Sequence, residues 1–145
     1  MPNPDLVNYI TSRIRSDDYV LDVGCGQNWV KQTILNPGRV VGIDINAGCH
    51  PEVEWDLNNG LPICFAGFFD VILLIDVVEH LYKSIGERLI SLAQGLVVRE
   101  VLLLVPMFWT HNRSPYEDQA SVWYQRREIL HRSEWNEGDF RADTG

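Results

Sequence analysis

Val20-Leu21-Asp22-Val23-Gly24-Cys25-Gly26-Gln27-Asn28 (VLDVGCGQN) begins as a buried strand and ends as a glycine turn. Val20, Leu21 and Val23 suit a strand covered on both faces. Asp22 interrupts them, and an unpaired carboxylate is costly in such a place. Gly24 and Gly26 let the backbone turn tightly and approach a ligand closely. Taken alone, the stretch is as well explained by turn chemistry as by a binding loop, because glycine turns commonly follow strands.

The neighbouring segments give the stretch its context. Asn3 and Pro4 suit a helix cap and first helical position, and Leu6, Ile10 and Ile14 recur at helical spacing up to Arg15. A second helix is expected from about Trp29 to Leu35, stopped by Asn36-Pro37-Gly38. Further strands read at Arg39–Asp44, Val53–Asp56, Asp70–Ile75 and Val101–Val105, the last closed by Pro106. Between the last two, Leu81, Ile85, Leu89, Leu92 and Leu96 form one apolar helical stripe, with Gly95 as the expected end. Strands apolar on both faces and separated by helices imply an α/β fold: a doubly wound, mostly parallel sheet with helices on both faces. Ligands then bind outside the carboxyl ends of the strands.

Composition narrows the function classes. The 145 residues suit one domain, and a 46% hydrophobic content supports a real core. The net charge of -8 argues against a mainly electrostatic nucleic-acid or membrane-surface binder, with Arg126-Arg127 as a local exception. Cys25, Cys49 and Cys64 make an odd set without paired spacing, which fits a reducing cytoplasm better than a disulfide framework. The sequence shows no bilayer-spanning stretch and no signal-peptide pattern, so the expected location is cytoplasmic. No metal site is expected, since Cys49-His50 and the distant Cys64 lack zinc-ligand spacing.

The strand ends carry suitable chemistry in order. Gly24-Cys25-Gly26 follows the first strand. Asp44, at the end of the second, stands where an acid accepts from a ribose diol, and equally where an exposed aspartate starts the next helix. Asp56 and Leu57 follow the third, where an aspartate is most simply a loop residue. After the fourth comes Asp76-Val77-Val78-Glu79-His80-Leu81, in which Asp76 and Glu79 suit a helix start and His80 a packed histidine.

Together, "VLDVGCGQN", "VVGIDI", "EWDLNN", "FDVILLIDVVEHL" and "VLLLVP" resemble the class I S-adenosylmethionine-dependent methyltransferases. The resemblance covers Val20 to Pro106, about three fifths of the chain. The "VEHL" ending is similar to the small-molecule, quinone-biosynthesis-like (type 11) branch, and the Asn/Asp-Pro-Pro-aromatic motif of many base methylases is absent. The resemblance implies a Rossmann-like sheet of about five strands in the order 3-2-1-4-5 and S-adenosyl-L-methionine as cofactor. It implies that Asp22 and the Gly24, Cys25 and Gly26 backbone hold the methionine end. Asp44, with Ile45 beside it, would take the ribose, Asp56 and Leu57 the adenine, and Asp76 the sulfonium region. Asn28 departs from the third glycine of many members. His80 is the nearest candidate base, with His111 and His131 further off. A nicotinamide-binding Rossmann domain is the competitor, but its fingerprint wants glycine or alanine where Trp29 stands. The activity implied is methyl transfer to a small molecule; the alternative is a non-catalytic cofactor-binding or interaction module.

The expected layout is an N-terminal helix at 1–18, a cofactor-binding core at 19–106 and an acceptor-side or cap segment at 107–145. That last segment is rich in aromatics (Met107, Phe108, Trp109, Tyr116, Trp123, Tyr124, Trp135), which suit an acceptor pocket or a sheet cover equally. Within it, His131–Phe140 resembles the family's stretch before strand six, and Asn136 and Asp139 have capping-box spacing. The family's sixth and seventh strands have no room before Gly145. The strand-five edge is then expected to pair with a second copy or partner, or to be covered by part of 121–131.

Overall fold

The computed structural model describes residues 4–34, 36–105 and 133–140. The elements are α1 (Pro4–Arg13), β1 (Val20–Val23), α2 (Trp29–Thr33), β2 (Val40–Asp44), β3 (Val53–Glu54), β4 (Val71–Ile75), α3 (Lys83–Leu96) and β5 (Glu100–Leu104). All strand pairs are parallel, in the order β3-β2-β1-β4-β5. The fold class read from the sequence, and the strand order implied by the family resemblance, are those observed. Strand and helix limits move by one to two residues at most ends, the ordinary reach of fraying.

The sheet separates two apolar layers, because successive side chains of a strand point to opposite faces. Leu21, Val23, Ile72 and Leu74 pack with Leu89, Ala93 and Trp135 on one face. Val20, Val40, Val71, Leu73 and Leu102 pack with Ile10 and Val30 on the other, under α1 and α2. Central β1 and β4 are buried almost throughout, which is why their sequences read apolar without alternation. Outer β5 is only partly covered among the described residues, with Leu104 37% exposed.

Two details of α3 differ from the periodic reading. Its buried line runs through Gly86, Leu89 and Ala93, not through Ile85, because Trp135 lies over Gly86: a Cβ there would stand 2.7 Å from Trp135 Cζ2. Gly95 lies inside the last turn and does not end the helix, which continues to Leu96. Residues 133–140 dock on this helix and on the turn before it. The Ser133 amide donates to Glu79 O at 3.2 Å, Ser133 Oγ to Val78 O at 3.1 Å, and Trp135 Nε1 to Ser133 Oγ at 2.8 Å. Asn136 N donates to Asp139 Oδ2 and Gly138 N to Asn136 Oδ1, both at 2.8 Å, around a short 3-10 turn at Glu137–Phe140. The capping pair expected from spacing is therefore formed. Met107, Phe108, Trp109, Tyr116, Trp123, Tyr124, the histidines at 111 and 131, and the expected edge cover at 121–131 lie outside the described residues.

Candidate functional site at the carboxyl ends of the strands

The loop leaving β1 is folded by left-handed backbone. Gly24 has φ +67°, Gly26 φ +51° and Asn28 φ +62°. Glycine meets this geometry without a Cβ penalty, and asparagine is among the few other residues that tolerate it. At Gly24 the side chain is excluded by packing as well, since a Cβ would meet Val77 Cγ2 at 2.8 Å. At Gly26 nothing lies within 4 Å of that position. Asn28, the departure from the third glycine, keeps the turn and adds a tether: its amide donates to Cys49 O at 2.8 Å.

Strand β2 holds this loop from the side. The amides of Gly24 and Cys25 donate to Ile43 O at 2.8 and 3.1 Å. Asp44 Oδ2 accepts from Gly26 N at 3.0 Å, and Oδ1 from Asn46 N at 2.8 Å. One carboxylate thus fixes both the glycine loop and the turn after its own strand. Each oxygen keeps a further lone-pair site, so the bracing role leaves room for a ligand hydroxyl. Gly42 makes the crossing possible, because a Cβ there would stand 2.8 Å from Cys25 Cβ and Sγ and 3.1 Å from Asn28 Oδ1. Gly42 was not among the expected site residues; a glycine inside an otherwise β-branched strand was its available signal.

Asp22 shares the sheet face of Val20, is 4% exposed, and receives no hydrogen bond among the described residues. Burial, then repulsion from Asp44, pushes its carboxyl up to about 7, while Lys31 pulls the other way. Lys31 is itself ion-paired with Glu52, whose other oxygen accepts from Gly42 N at 2.7 Å. Cys25 is 3% exposed, and burial with the nearby Asp22 and Asp44 charges pushes its thiol up to about 12. It is therefore a packed thiol and no nucleophile.

The end of β4 differs from the helix start expected there. Asp76 is exposed and left-handed at φ +53°, with its amide on Leu104 O at 3.0 Å. A 3-10 turn at Val78–His80 follows, and α3 begins only at Lys83. That turn carries Glu79 inward, 3% exposed, with Oε2 buried and unbonded. Burial pushes Glu79 up to about 8; its own backbone amide opposes this and Asp76 adds to it. His80 Nε2 lies 3.4 Å from Glu79 Oε1. The buried acid at position 79 was missed because capping acids and buried acids look alike in a sequence; Val77 and Val78 beside it were the only hint.

The structure thus brings Gly24, Cys25, Gly26, Asp22 and Asp44 into one group, with Asp76 beside it through the Gly24–Val77 packing. It joins Asp56 and Leu57 less closely. Asp56 Oδ1 accepts from Asn58 N at 2.9 Å and from Asn58 Nδ2 at 2.8 Å, the work of a loop-capping aspartate. Leu57 packs against the core, and Ile45 is 51% exposed beside Asp44. Among the described residues no three His, Cys, Asp or Glu side chains are grouped to hold a metal ion, and no helix is long and apolar enough to cross a membrane.

No protein-family model and no curated protein matches the chain. Solved structures do. A candidate zinc-dependent alcohol dehydrogenase from Rhodobacter sphaeroides aligns with TM-score 0.64 at 16% identity, over 98% of this chain and 77% of its own. A SAM-dependent methyltransferase from Archaeoglobus fulgidus aligns with TM-score 0.62 at 18% identity, over 94% of this chain and 62% of its own. Magnesium protoporphyrin IX methyltransferase from Synechocystis PCC 6803, solved with bound SAH, aligns with TM-score 0.56 at 19% identity, over 94% and 68%. At such identities the likeness establishes the fold alone: a Rossmann-like five-stranded parallel sheet matching that of these methyltransferases.

Proposed function

We propose that the chain binds S-adenosyl-L-methionine at the carboxyl ends of β1, β2 and β4 and transfers its methyl group to a small-molecule acceptor. The observation that carries this reading is Asp22: a buried carboxyl without a hydrogen bond, beside a left-handed glycine loop braced by Asp44. Folding gains nothing from such a group, so its use lies in a ligand. The methyltransferase neighbours support the same reading.

The residues fit the cofactor by their donor sets. Asp22 offers an acceptor for an ammonium group, and the exposed side of the Gly26 backbone leaves room for close approach. Asp44 keeps lone pairs for ribose hydroxyls. Asp56 and Leu57 stand at the outlet of β3 for the adenine, and Asp76 at the outlet of β4. The cofactor, when bound, supplies an activated methyl group on a sulfonium, so the chain's main task is to orient the acceptor. A base is needed only for an acceptor that holds its proton in water, and His80, beside the buried Glu79, is the residue we assign to that role.

The zinc-dependent dehydrogenase likeness is met by the fold alone. Trp29 stands where a nicotinamide fingerprint wants a small residue, and the described residues offer no zinc cluster. Titration calorimetry with S-adenosylmethionine and S-adenosylhomocysteine tests the assignment: saturable binding of both is expected, and a folded sample that binds neither refutes it. Labelled methyl transfer into a metabolite mixture then separates an enzyme from a module that binds the cofactor without turnover.

A further inference from the structure

Glu79 is 3% exposed, and its Oε2 is buried with no hydrogen-bond partner among the described residues. Its Oε1 lies 3.4 Å from Nε2 of His80, whose side chain is 22% exposed, so the imidazole links a sealed carboxyl to solvent. The turn that carries both is clamped. Within it, His80 N donates to Val77 O at 3.0 Å and Leu81 N to Val78 O at 3.1 Å; across it, Ser133 N donates to Glu79 O at 3.2 Å and Ser133 Oγ to Val78 O at 3.1 Å. The charged groups around Glu79 do little to steady a negative charge. Asp76, at the end of β4, repels it. From α3, the Lys83 ammonium is held by Glu134 O at 2.6 Å and Asp139 Oδ2 at 2.9 Å. From residues 133–140, the uncharged Ser133 makes the contact. An ionised carboxylate has two charged oxygens that need donors, whereas a protonated one has a carbonyl oxygen that costs less to leave unbonded. The orphaned Oε2 therefore marks a neutral carboxyl whose proton sits on Oε1, toward Nε2 of His80.

We propose that Glu79 is the positioning residue and proton store of His80: the buried carboxyl holds the imidazole by Nε2 and keeps the proton that the ring takes from an acceptor at Nδ1. This rests on the reading of His80 as the base and adds where its proton goes. The pair has two states. In the ready state Glu79 is ionised and accepts from Nε2–H, which leaves the lone pair of the ring on Nδ1. As the acceptor takes the methyl group, its proton goes to Nδ1 and the Nε2 proton goes to Glu79 Oε1. Charge balances, because the positive charge lost from the sulfonium is matched by the negative charge lost from the pair. Water then removes the Nδ1 proton while the Oε1 proton returns to Nε2, and the ready state is restored. A carboxylate held by several backbone donors would keep its charge and could not serve. Burial, which raises Glu79 to about 8, lets it hold the proton at neutral pH.

The test is the protonation of the His80 ring, read by long-range proton–nitrogen NMR of the intact chain, with His80→Gln assigning its signals among the four histidines. The neutral ring is expected to carry its proton on Nδ1 at about pH 7 and on Nε2 at about pH 9. Glu79→Gln is expected to keep one tautomer throughout, and Asp22→Asn to keep the exchange. A native ring with one tautomer across the range overturns the pairing, and this result needs no variant. A ring protonated on both nitrogens up to about pH 8 is half of an ion pair and overturns the store. Loss of the exchange in Asp22→Asn overturns the assignment to Glu79. These readings use no cofactor, so they fail separately from the calorimetric test: a chain that shows the exchange but binds no S-adenosylhomocysteine keeps the pair and overturns its use in methyl transfer.

Discussion

Asp18, at the entrance to β1, and Asp22, near its exit, are each 4% exposed, and the fold treats them in opposite ways. Asp18 Oδ1 and Oδ2 accept from Arg99 Nη1 and Nη2 at 2.7 and 2.6 Å, and Oδ2 accepts from Arg15 N at 2.6 Å. The Arg99 guanidinium holds Asp18 below the usual carboxylate range, against the pull of burial. Asp22 has no such partner, and burial raises it. The entrance is finished by the chain itself. The exit has three left-handed loop residues and an unbonded acid, the arrangement on which the proposed cofactor site rests. The entrance carries aromatic cover of the same finished kind: Tyr19 contacts Phe68 at 5.2 Å, with the Arg39 guanidinium 4.6 Å from the Tyr19 ring centroid.

The strongest way to break this contrast is to remove the entrance acid. Asp18→Ala strands Arg99, whose side chain is 25% exposed, and frees the Arg15 amide; a loss of about 3 kcal/mol is expected in chemical denaturation. A change below about 0.5 kcal/mol would show that the ion pair is no more than a surface contact.

Asp22→Asn should move the other way. A carboxyl raised to about 7 in the folded state keeps its proton where the unfolded chain has already lost it. Stability from this group is thus greatest near pH 4 and falls as pH rises to about 7. Asparagine removes that slope, so the variant is expected to gain about 2 kcal/mol over the native chain at pH 8 and almost nothing at pH 4. Asp18 has the reverse sign: its contribution is present above the ordinary aspartate range and vanishes as pH falls through the lowered folded value. Thermal melts across pH of both variants test the pair of signs, and parallel curves would remove the distinction.

The glycines sharpen the exit half of the comparison. Gly24→Ala meets both positive φ and the Val77 methyl at 2.8 Å, and about 2 kcal/mol is the expected loss. Gly26→Ala meets positive φ alone, for about 1 kcal/mol, yet should weaken cofactor binding more than Gly24→Ala at equal stability. If the two variants lose affinity in proportion to stability, Gly26 has no ligand role. Asn28→Gly exchanges one hydrogen bond for relief of a left-handed residue, so the expected change is within about 0.5 kcal/mol.

Most of the exit was legible because its signals are local. A left-handed turn needs glycine or asparagine wherever it occurs, and an acid at a strand end can be read by position. The Asp18–Arg99 pair was not legible: its partners lie 81 positions apart, and many arginines in the chain looked equally available. Glu79 and Trp135 escaped for a related reason. Whether an acid after a strand caps a helix or turns inward depends on the 3-10 turn at Val78–His80, and room for Trp135 depends on Gly86 in a different element.

The sequence by itself determined the strands, their parallel sense and the chemistry at their ends, since apolar period, glycine placement and strand-end acids act over a few residues, while the strand order followed only from the family resemblance. Only the tertiary structure decided which of those acids find partners. Asp44 became a brace, Asp56 a loop cap, Asp18 one half of an ion pair, while Asp22 was buried without a hydrogen bond and Glu79 with only its Oε2 left unbonded. The physical reason is that a carboxyl's charge depends on what lies within hydrogen-bond reach and on how much water is excluded, and both are fixed when distant segments pack together.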